Sequence, residues 1–314
     1  MGGRHEPGDP AECRRDIVEM TGPQPAEQWA RIPAASADAG RVVTCDLTFG
    51  VDKPADIAFQ LAVARSGRIH AERLDVATNG TPLARPVELS GPHGGRLHLL
   101  RAPRGILTVS YRAELVHPET EQPEGRAVPA GDLLTMEQLI FLRPSRYCPS
   151  DHVVGLAVAE FGALPPGRPR VEAVVDWIYH RVAYVVGSSA VHDSAEDTLL
   201  TGQGVCRDFA HLGITLCRAL EVPARFAAVY APGLDPMDFH AVFEAWIDGG
   251  WRTYDATRKV PRSSLVRIAT GRDAADAAFA DVLRGIATLH SLEVTATVTG
   301  NLPVDDPTAD VHLY

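Results

Sequence analysis

Cys206, His240 and Asp255 are the residues of this sequence whose types and order could support nucleophilic chemistry. Cys206 follows Gly204-Val205 at the predicted start of a helix. Unpaired backbone N–H groups and the positive end of the helix dipole favour a thiolate there. A reactive thiol also needs a base, and the base needs a group that orients it. The helix alone leaves open the alternative that Cys206 is a small buried packing residue.

The segment from His240 to Asp255 predicts a β-hairpin that brings these two side chains together. Asp248-Gly249 is typical of a two-residue type I′ turn, and this turn fixes the register so that Asp255 lies opposite Val242. Val242 shares a sheet face with His240, so His240 and Asp255 become diagonal neighbours, about 7 Å apart at the backbone. A three-residue loop without a bulge would turn Asp255 to the other face. The alternative is then a surface histidine and a turn aspartate.

The region around these residues contains five motifs. They are LRPSRYCPSD at 142–151, GVCRDFAHL at 204–212, RALEVPARF at 218–226, His240-Ala241 with Glu244, and GWRTYDAT at 250–257. Over roughly residues 142–259 they resemble the transglutaminase-like superfamily, in particular its bacterial cysteine peptidases. The resemblance implies that Cys206 is the nucleophile, His240 the base and Asp255 the orienting acid. The sequence has HAV and DAT where that family usually has HAW and DPT, and neither change removes a triad atom.

The resemblance implies acyl transfer on peptide or isopeptide carboxamides through an acyl thioester on Cys206. The backbone N–H of Cys206 is one expected oxyanion donor, and the side chain of Gln203 is a candidate for the second. Water as the acyl acceptor makes the protein a cysteine peptidase or amidase, which is the expected reaction. An amine acceptor makes it a transglutaminase, and a catalytically silent binding module on the same fold is a third alternative.

We expect no cofactor and no metal. Paired Cys or His ligands at the usual zinc spacings are absent from the sequence. We also find no calcium-ligand cluster like that of animal transglutaminases.

The surrounding elements predict an α+β fold. Residues 1–40 are rich in Pro, Gly and Ala and predict a loose arm. Residues 41–130 contain short alternating segments interrupted by Gly, Pro and Asn, typical of an antiparallel β-sandwich or small barrel; we expect a β-sandwich domain. Residues 131–314 have helical segments followed by strand-like ones. We expect them to form a papain- or transglutaminase-like catalytic domain, with the nucleophile at a helix N-terminus packed on an antiparallel sheet.

The composition limits the classes of partner that we expect for this protein. The chain has 314 residues, a size typical of about two domains. Its net charge of −10 argues against a nucleic-acid partner, because nucleic-acid binders are usually basic. Its apolar stretches are far shorter than the roughly 18 residues of a membrane helix. The five cysteines are odd in number and show no C-x-x-C pair, and no signal peptide is visible, so we expect a cytoplasmic protein. The family resemblance implies that its partner is a peptide or protein amide substrate.

Overall fold

The computed structural model describes residues 39–65, 69–116 and 134–313, which form a curled antiparallel sheet and a helix-and-sheet core. The strands are, in chain order, β1 (Ala39–Phe59), β2 (Ile69–Thr78), β3 (Thr81–Pro82), β4 (Val87–Ser90), β5 (Arg96–Ala102), β6 (Gly105–Val116), β7 (Ala183–Tyr184), β8 (Gln203–Gly204), β9 (Ala224–Tyr230), β10 (Phe239–Ile247), β11 (Gly250–Tyr254), β12 (Val266–Gly271) and β13 (Ala280–Val298). The α-helices are α1 (Met136–Ile140), α2 (Val154–Phe161), α3 (Arg168–Arg181), α4 (Ala195–Thr201) and α5 (Cys206–Ala219). The α+β fold class is confirmed.

The first sheet is organised around β1. One edge of β1 pairs with β13 along almost its whole length, and the other edge pairs first with β6 and then with β5. The resulting order is β3-β2-β6-β1-β5-β4, with β13 on the far side of β1. Alternate side chains of β1 face the core, as period-two patterning requires. They are Val43, Cys45, Leu47, Phe49 and Val51.

Two of the expected boundaries fall outside the described residues. The predicted arm is described only at Ala39 and Gly40, which begin β1. The boundary expected at 130–131 lies outside the described ranges, so it stays a prediction. The strand-like stretch near the end of the sequence is β13, and it belongs to the first sheet. The first sheet therefore contains strands from both ends of the described chain.

The second sheet carries α5 on one face. Its strand order is β11-β10-β9-β12, all antiparallel. α5 is buried continuously from Asp208 to Ala219. A Cβ atom on Gly213 would lie 2.5 Å from the ring of Phe243 on β10. Gly213 is therefore required by the close approach of α5 to β10.

The hairpin of β10 and β11 has the predicted register. Ile247 pairs with Gly250, which leaves Asp248 and Gly249 as a two-residue turn. Both turn residues have positive φ, 51° and 81°. A type I′ turn requires this, and its twist matches that of the flanking strands.

Glu244 links strands of the second sheet through buried ion pairs. Its carboxylate, on β10, is fully buried and accepts hydrogen bonds from Arg225 (2.7 Å) on the adjacent strand β9 and from Arg267 (3.0 Å) on β12, the next strand beyond β9. Burial raises the pKa of Glu244, but the two guanidinium groups outweigh burial and hold it below its usual range. Arg225 also lies over the ring of Trp251, 4.1 Å from its centroid, so the charge cluster is enclosed by packing.

Replacing Glu244 with glutamine should destabilise the protein, because Arg267 loses its carboxylate partner and Arg225 keeps only the half-exposed Glu137 at 3.4 Å. The expected loss is about 3–5 kcal/mol of unfolding free energy, the usual range for a broken buried ion pair. Urea unfolding followed by circular dichroism measures it. The matched control is Asp56→Asn, which removes the exposed pair of Asp56 with Arg101 and should leave the midpoint nearly unchanged. An unchanged midpoint for Glu244→Gln would contradict this role.

Candidate active site

Cys206 is the first residue of α5, and a buried carboxylate fixes that helix start. Asp208 is 1% exposed and accepts a hydrogen bond from the backbone N–H of Val205 at 2.8 Å. Asp208 also pairs with Arg207 at 3.0 Å. A Cβ atom on Gly204 would lie 2.7 Å from the Asp208 side chain, so glycine is needed for this contact. The result is a half-exposed thiol at the positive end of a 14-residue helix.

His240 and Asp255 form the predicted hydrogen bond. The distance between His240 Nε2 and Asp255 Oδ2 is 2.9 Å, and both side chains are almost fully buried. The other carboxylate oxygen, Oδ1, accepts the backbone N–H of Thr257 at 2.8 Å and its hydroxyl at 2.7 Å. Thr257 therefore orients Asp255 so that Oδ2 is left for the imidazole.

The charges of this pair stabilise each other. Burial raises the pKa of Asp255, but His240 and the Thr257 donors outweigh burial and lower it. Burial lowers the pKa of His240, but Asp255 and the Cys206 thiol outweigh burial and raise it above its usual range. The pair is therefore an imidazolium and a carboxylate at neutral pH.

The remaining ring nitrogen of His240, Nδ1, is available to Cys206. Nδ1 is buried and makes no formed hydrogen bond within the part of the chain that the structure describes. The Cys206 thiol nevertheless interacts with the imidazole and contributes to its raised pKa. Contacts of this kind are often long in the free state of an enzyme and shorten when substrate binds.

Tyr184 is a site residue that the sequence analysis missed. β7 and β8 form a two-residue parallel bridge that pairs Tyr184 with Gly204, two residues before Cys206. The tyrosine hydroxyl interacts with both the thiol and the backbone amide of Cys206. Burial and the neighbouring thiol raise the pKa of Tyr184 to about 12, so the hydroxyl keeps its proton at neutral pH. The tyrosine ring packs beside Phe209, 5.8 Å between ring centroids.

Gln203 is not brought together with the other three predicted site residues. It lies on β8 with an exposed side chain, and within the described ranges that side chain forms no hydrogen bond with Cys206, His240 or Asp255. Cys206, His240 and Asp255 are brought together. The roles assigned to all four residues stay predictions.

The other described cysteines have different surroundings. Cys45, Cys148 and Cys217 are free thiols and fully buried. Burial is the main cause that raises the pKa of all three, to about 12 for Cys148 and Cys217 and further for Cys45. Each is therefore protonated at neutral pH and shielded from solvent.

In residues 39–65, 69–116 and 134–313, no three His, Cys, Asp or Glu side chains are grouped to hold a metal ion. No helix in these ranges is both long and apolar enough to cross a membrane.

Known proteins with similar sequences or structures identify the family. Residues 158–256, which contain Cys206, His240 and Asp255, match the transglutaminase-like superfamily. The crystal structure of a candidate cysteine protease from Cytophaga hutchinsonii has a TM-score of 0.75 and 39% identity, over 86% of this chain and 94% of that one.

Two mycobacterial proteins, both described only as uncharacterized, are also related. One from Mycobacterium leprae is 30% identical over 192 residues, 57% of this chain and 68% of its own. One from Mycobacterium tuberculosis is 32% identical over 150 residues, 41% of this chain and 47% of its own. With the fold and the site geometry, these matches show that the chain belongs to the transglutaminase-like superfamily.

Proposed function

We propose that the protein is a cysteine amidase or peptidase that hydrolyses peptide or isopeptide carboxamides through an acyl thioester on Cys206. The observation that carries the proposal is the buried His240–Asp255 ion pair, which uses Nε2 and leaves Nδ1 to the thiol at the start of α5. A cysteine-dependent activity is also supported by the superfamily and by the similar structure from Cytophaga hutchinsonii.

The reaction begins with attack of the Cys206 thiolate on the carboxamide carbon. A C–S bond forms, and the carbonyl electron pair moves to the oxygen. When the tetrahedral intermediate collapses, the C–N bond breaks and Nδ1–H of His240 gives its proton to the leaving amine. Nδ1 then takes a proton from water as the water oxygen attacks the thioester. Loss of the thiolate releases the carboxylic acid and restores the starting ion pair.

Two donors serve the oxyanion in this proposal. The first is the backbone N–H of Cys206, at a helix start. The second is the hydroxyl of Tyr184, which interacts with the same amide and thiol and is protonated at neutral pH. Gln203 is the weaker candidate for the second donor, because its side chain is exposed and points to no described partner in the site.

The proposal predicts that Cys206 is the most reactive of the described thiols. Limiting iodoacetamide at pH 7, followed by peptide mass mapping, should modify Cys206 before Cys45, Cys148 and Cys217, which are buried and protonated. His240→Gln should slow the modification of Cys206 alone. Earlier labelling of Cys148 or Cys217 would contradict the assignment of the nucleophile.

Replacing Asp255 with asparagine should keep the fold and cut turnover. The shapes match, but a neutral amide can hold the imidazole in the wrong tautomer. The loss is expected to be about 10- to 10³-fold, below the roughly 10⁴-fold of the analogous serine-protease change, because a thiol is more acidic than a serine hydroxyl and depends less on the base. The alkaline limb of the pH–rate profile should also move to lower pH, because the neutral amide no longer raises the pKa of His240 while burial still lowers it.

Circular dichroism and turnover of a verified carboxamide substrate measure this change. The matched control is Asp248→Asn, the same replacement in the turn of the same hairpin, where asparagine tolerates the positive φ of 51°. It should keep wild-type turnover. Wild-type turnover in Asp255→Asn would show that Asp255 is only a turn residue.

A further inference from the structure

Lys259 and the candidate nucleophile Cys206 both interact with Tyr184. Its Nζ is 4.2 Å from the centroid of the Tyr184 ring. The hydroxyl of that tyrosine interacts with the thiol and amide of Cys206. Lys259 is one of two lysines in the chain, and the other, Lys53, lies in β1 of the first sheet. A positive charge is therefore positioned at the rim of the site.

The backbone of Lys259 is connected to Asp255 by hydrogen bonds through the hydroxyl of Thr257. Its N–H donates to the hydroxyl oxygen of Thr257 at 3.3 Å, and that hydroxyl donates to Asp255 Oδ1 at 2.7 Å. Arg258, between them, has a φ of 52°. This closed turn fixes where the lysine side chain leaves the backbone, so its position depends on the same residues that orient Asp255.

The ammonium group of Lys259 contacts the Tyr184 ring but forms no ion pair within the described residues. In the part of the chain that the structure describes, no carboxylate lies within ion-pair distance of Lys259, and the side chain is exposed. The neighbouring cations differ: Arg258 pairs with Asp176 at 2.8 Å, and Arg207 with Asp208 at 3.0 Å. An exposed ammonium with no counter-charge in a chain of net charge −10 is available to an anionic ligand.

A carboxylate also acts on Tyr184. Asp238 is exposed, two residues before His240, and its charge contributes to the raised pKa of Tyr184. One of its oxygens accepts the backbone N–H of Phe239 at 2.7 Å. Lys259 and Asp238 therefore give the rim one positive and one negative charge, and a substrate carboxylate is attracted by the first and repelled by the second.

We propose that Lys259 is an anion subsite of the active centre, which binds a carboxylate of the substrate close to the scissile carboxamide. The subsite rests on the proposed function and narrows its substrate class to amides with a nearby carboxylate. That carboxylate is either the side chain of an aspartate or glutamate or a free C-terminus.

Two alkylating reagents that differ in charge test the subsite without a natural substrate. Iodoacetate and iodoacetamide deliver similar electrophiles to Cys206, but only iodoacetate is an anion. Lys259→Met should lower the ratio of the iodoacetate rate to the iodoacetamide rate by about 3- to 10-fold, the effect of one charge at the dielectric of a protein surface. Lys53→Met is the matched control and should leave the ratio unchanged. Asp238→Asn should raise it.

The outcomes distinguish failure of the subsite proposal from failure of the proposed function. If Lys259→Met leaves the ratio within twofold of wild type while iodoacetamide still labels Cys206 first, the subsite is wrong and the nucleophile assignment stands. If iodoacetamide does not favour Cys206 in the wild type, the proposed function fails independently of Lys259.

Peptide protection identifies the source of the carboxylate. One peptide has a glutamate side chain and an amidated C-terminus, and the other has neutral side chains and a free C-terminus. The peptide that protects Cys206 from iodoacetamide in the wild type, and protects it less in Lys259→Met, carries the carboxylate that the subsite binds. Equal protection of both proteins by both peptides would overturn the proposal.

Discussion

The candidate active site depends on one buried hydrogen bond, between His240 Nε2 and Asp255 Oδ2. Taking two charged groups out of water costs several kcal/mol for each ion unless they are paired and their other hydrogen-bonding atoms are satisfied. Thr257 meets part of that requirement with two donors to Asp255 Oδ1. The pair in turn leaves one imidazole nitrogen free to act on Cys206. Loss of Asp255, or of its orientation, would therefore leave a buried histidine with no group to hold its tautomer.

The rest of the core sets where the thiol meets this pair. Gly213 allows Phe243 to approach α5 closely, and Gly204 allows Asp208 to reach back to the helix start. The first contact fixes the close approach of α5 to the sheet, and the second fixes the backbone at the start of α5. Glu244, with its two arginines, links the three strands on which His240 and its neighbours are built. The geometry of three site residues therefore rests on close packing at two glycines and one buried carboxylate.

The parts of the site that could be predicted from sequence are those governed by local rules. The Asp248-Gly249 turn fixes the register of the hairpin, so strand alternation predicts that His240 and Asp255 lie close together. The helix start that follows Gly204 predicts the position of Cys206. Tyr184 could not be found in this way, because a two-residue parallel bridge leaves no periodicity in the sequence. The pairing of β13 could not be predicted from the sequence either. Alternation indicates which face of a strand is buried, but it does not indicate that the partner strand is β1, more than 200 residues earlier.

The central claim is that Cys206 carries an acyl group during the reaction, and trapping that intermediate tests it most directly. The protein is mixed with a peptide library, quenched in acid within milliseconds to seconds, digested, and mapped by mass spectrometry. The account predicts an acyl adduct on the Cys206 peptide that hydroxylamine removes, as a thioester requires, and that is absent from Cys206→Ser. An adduct on another residue, or one that resists hydroxylamine or persists in Cys206→Ser, would contradict it.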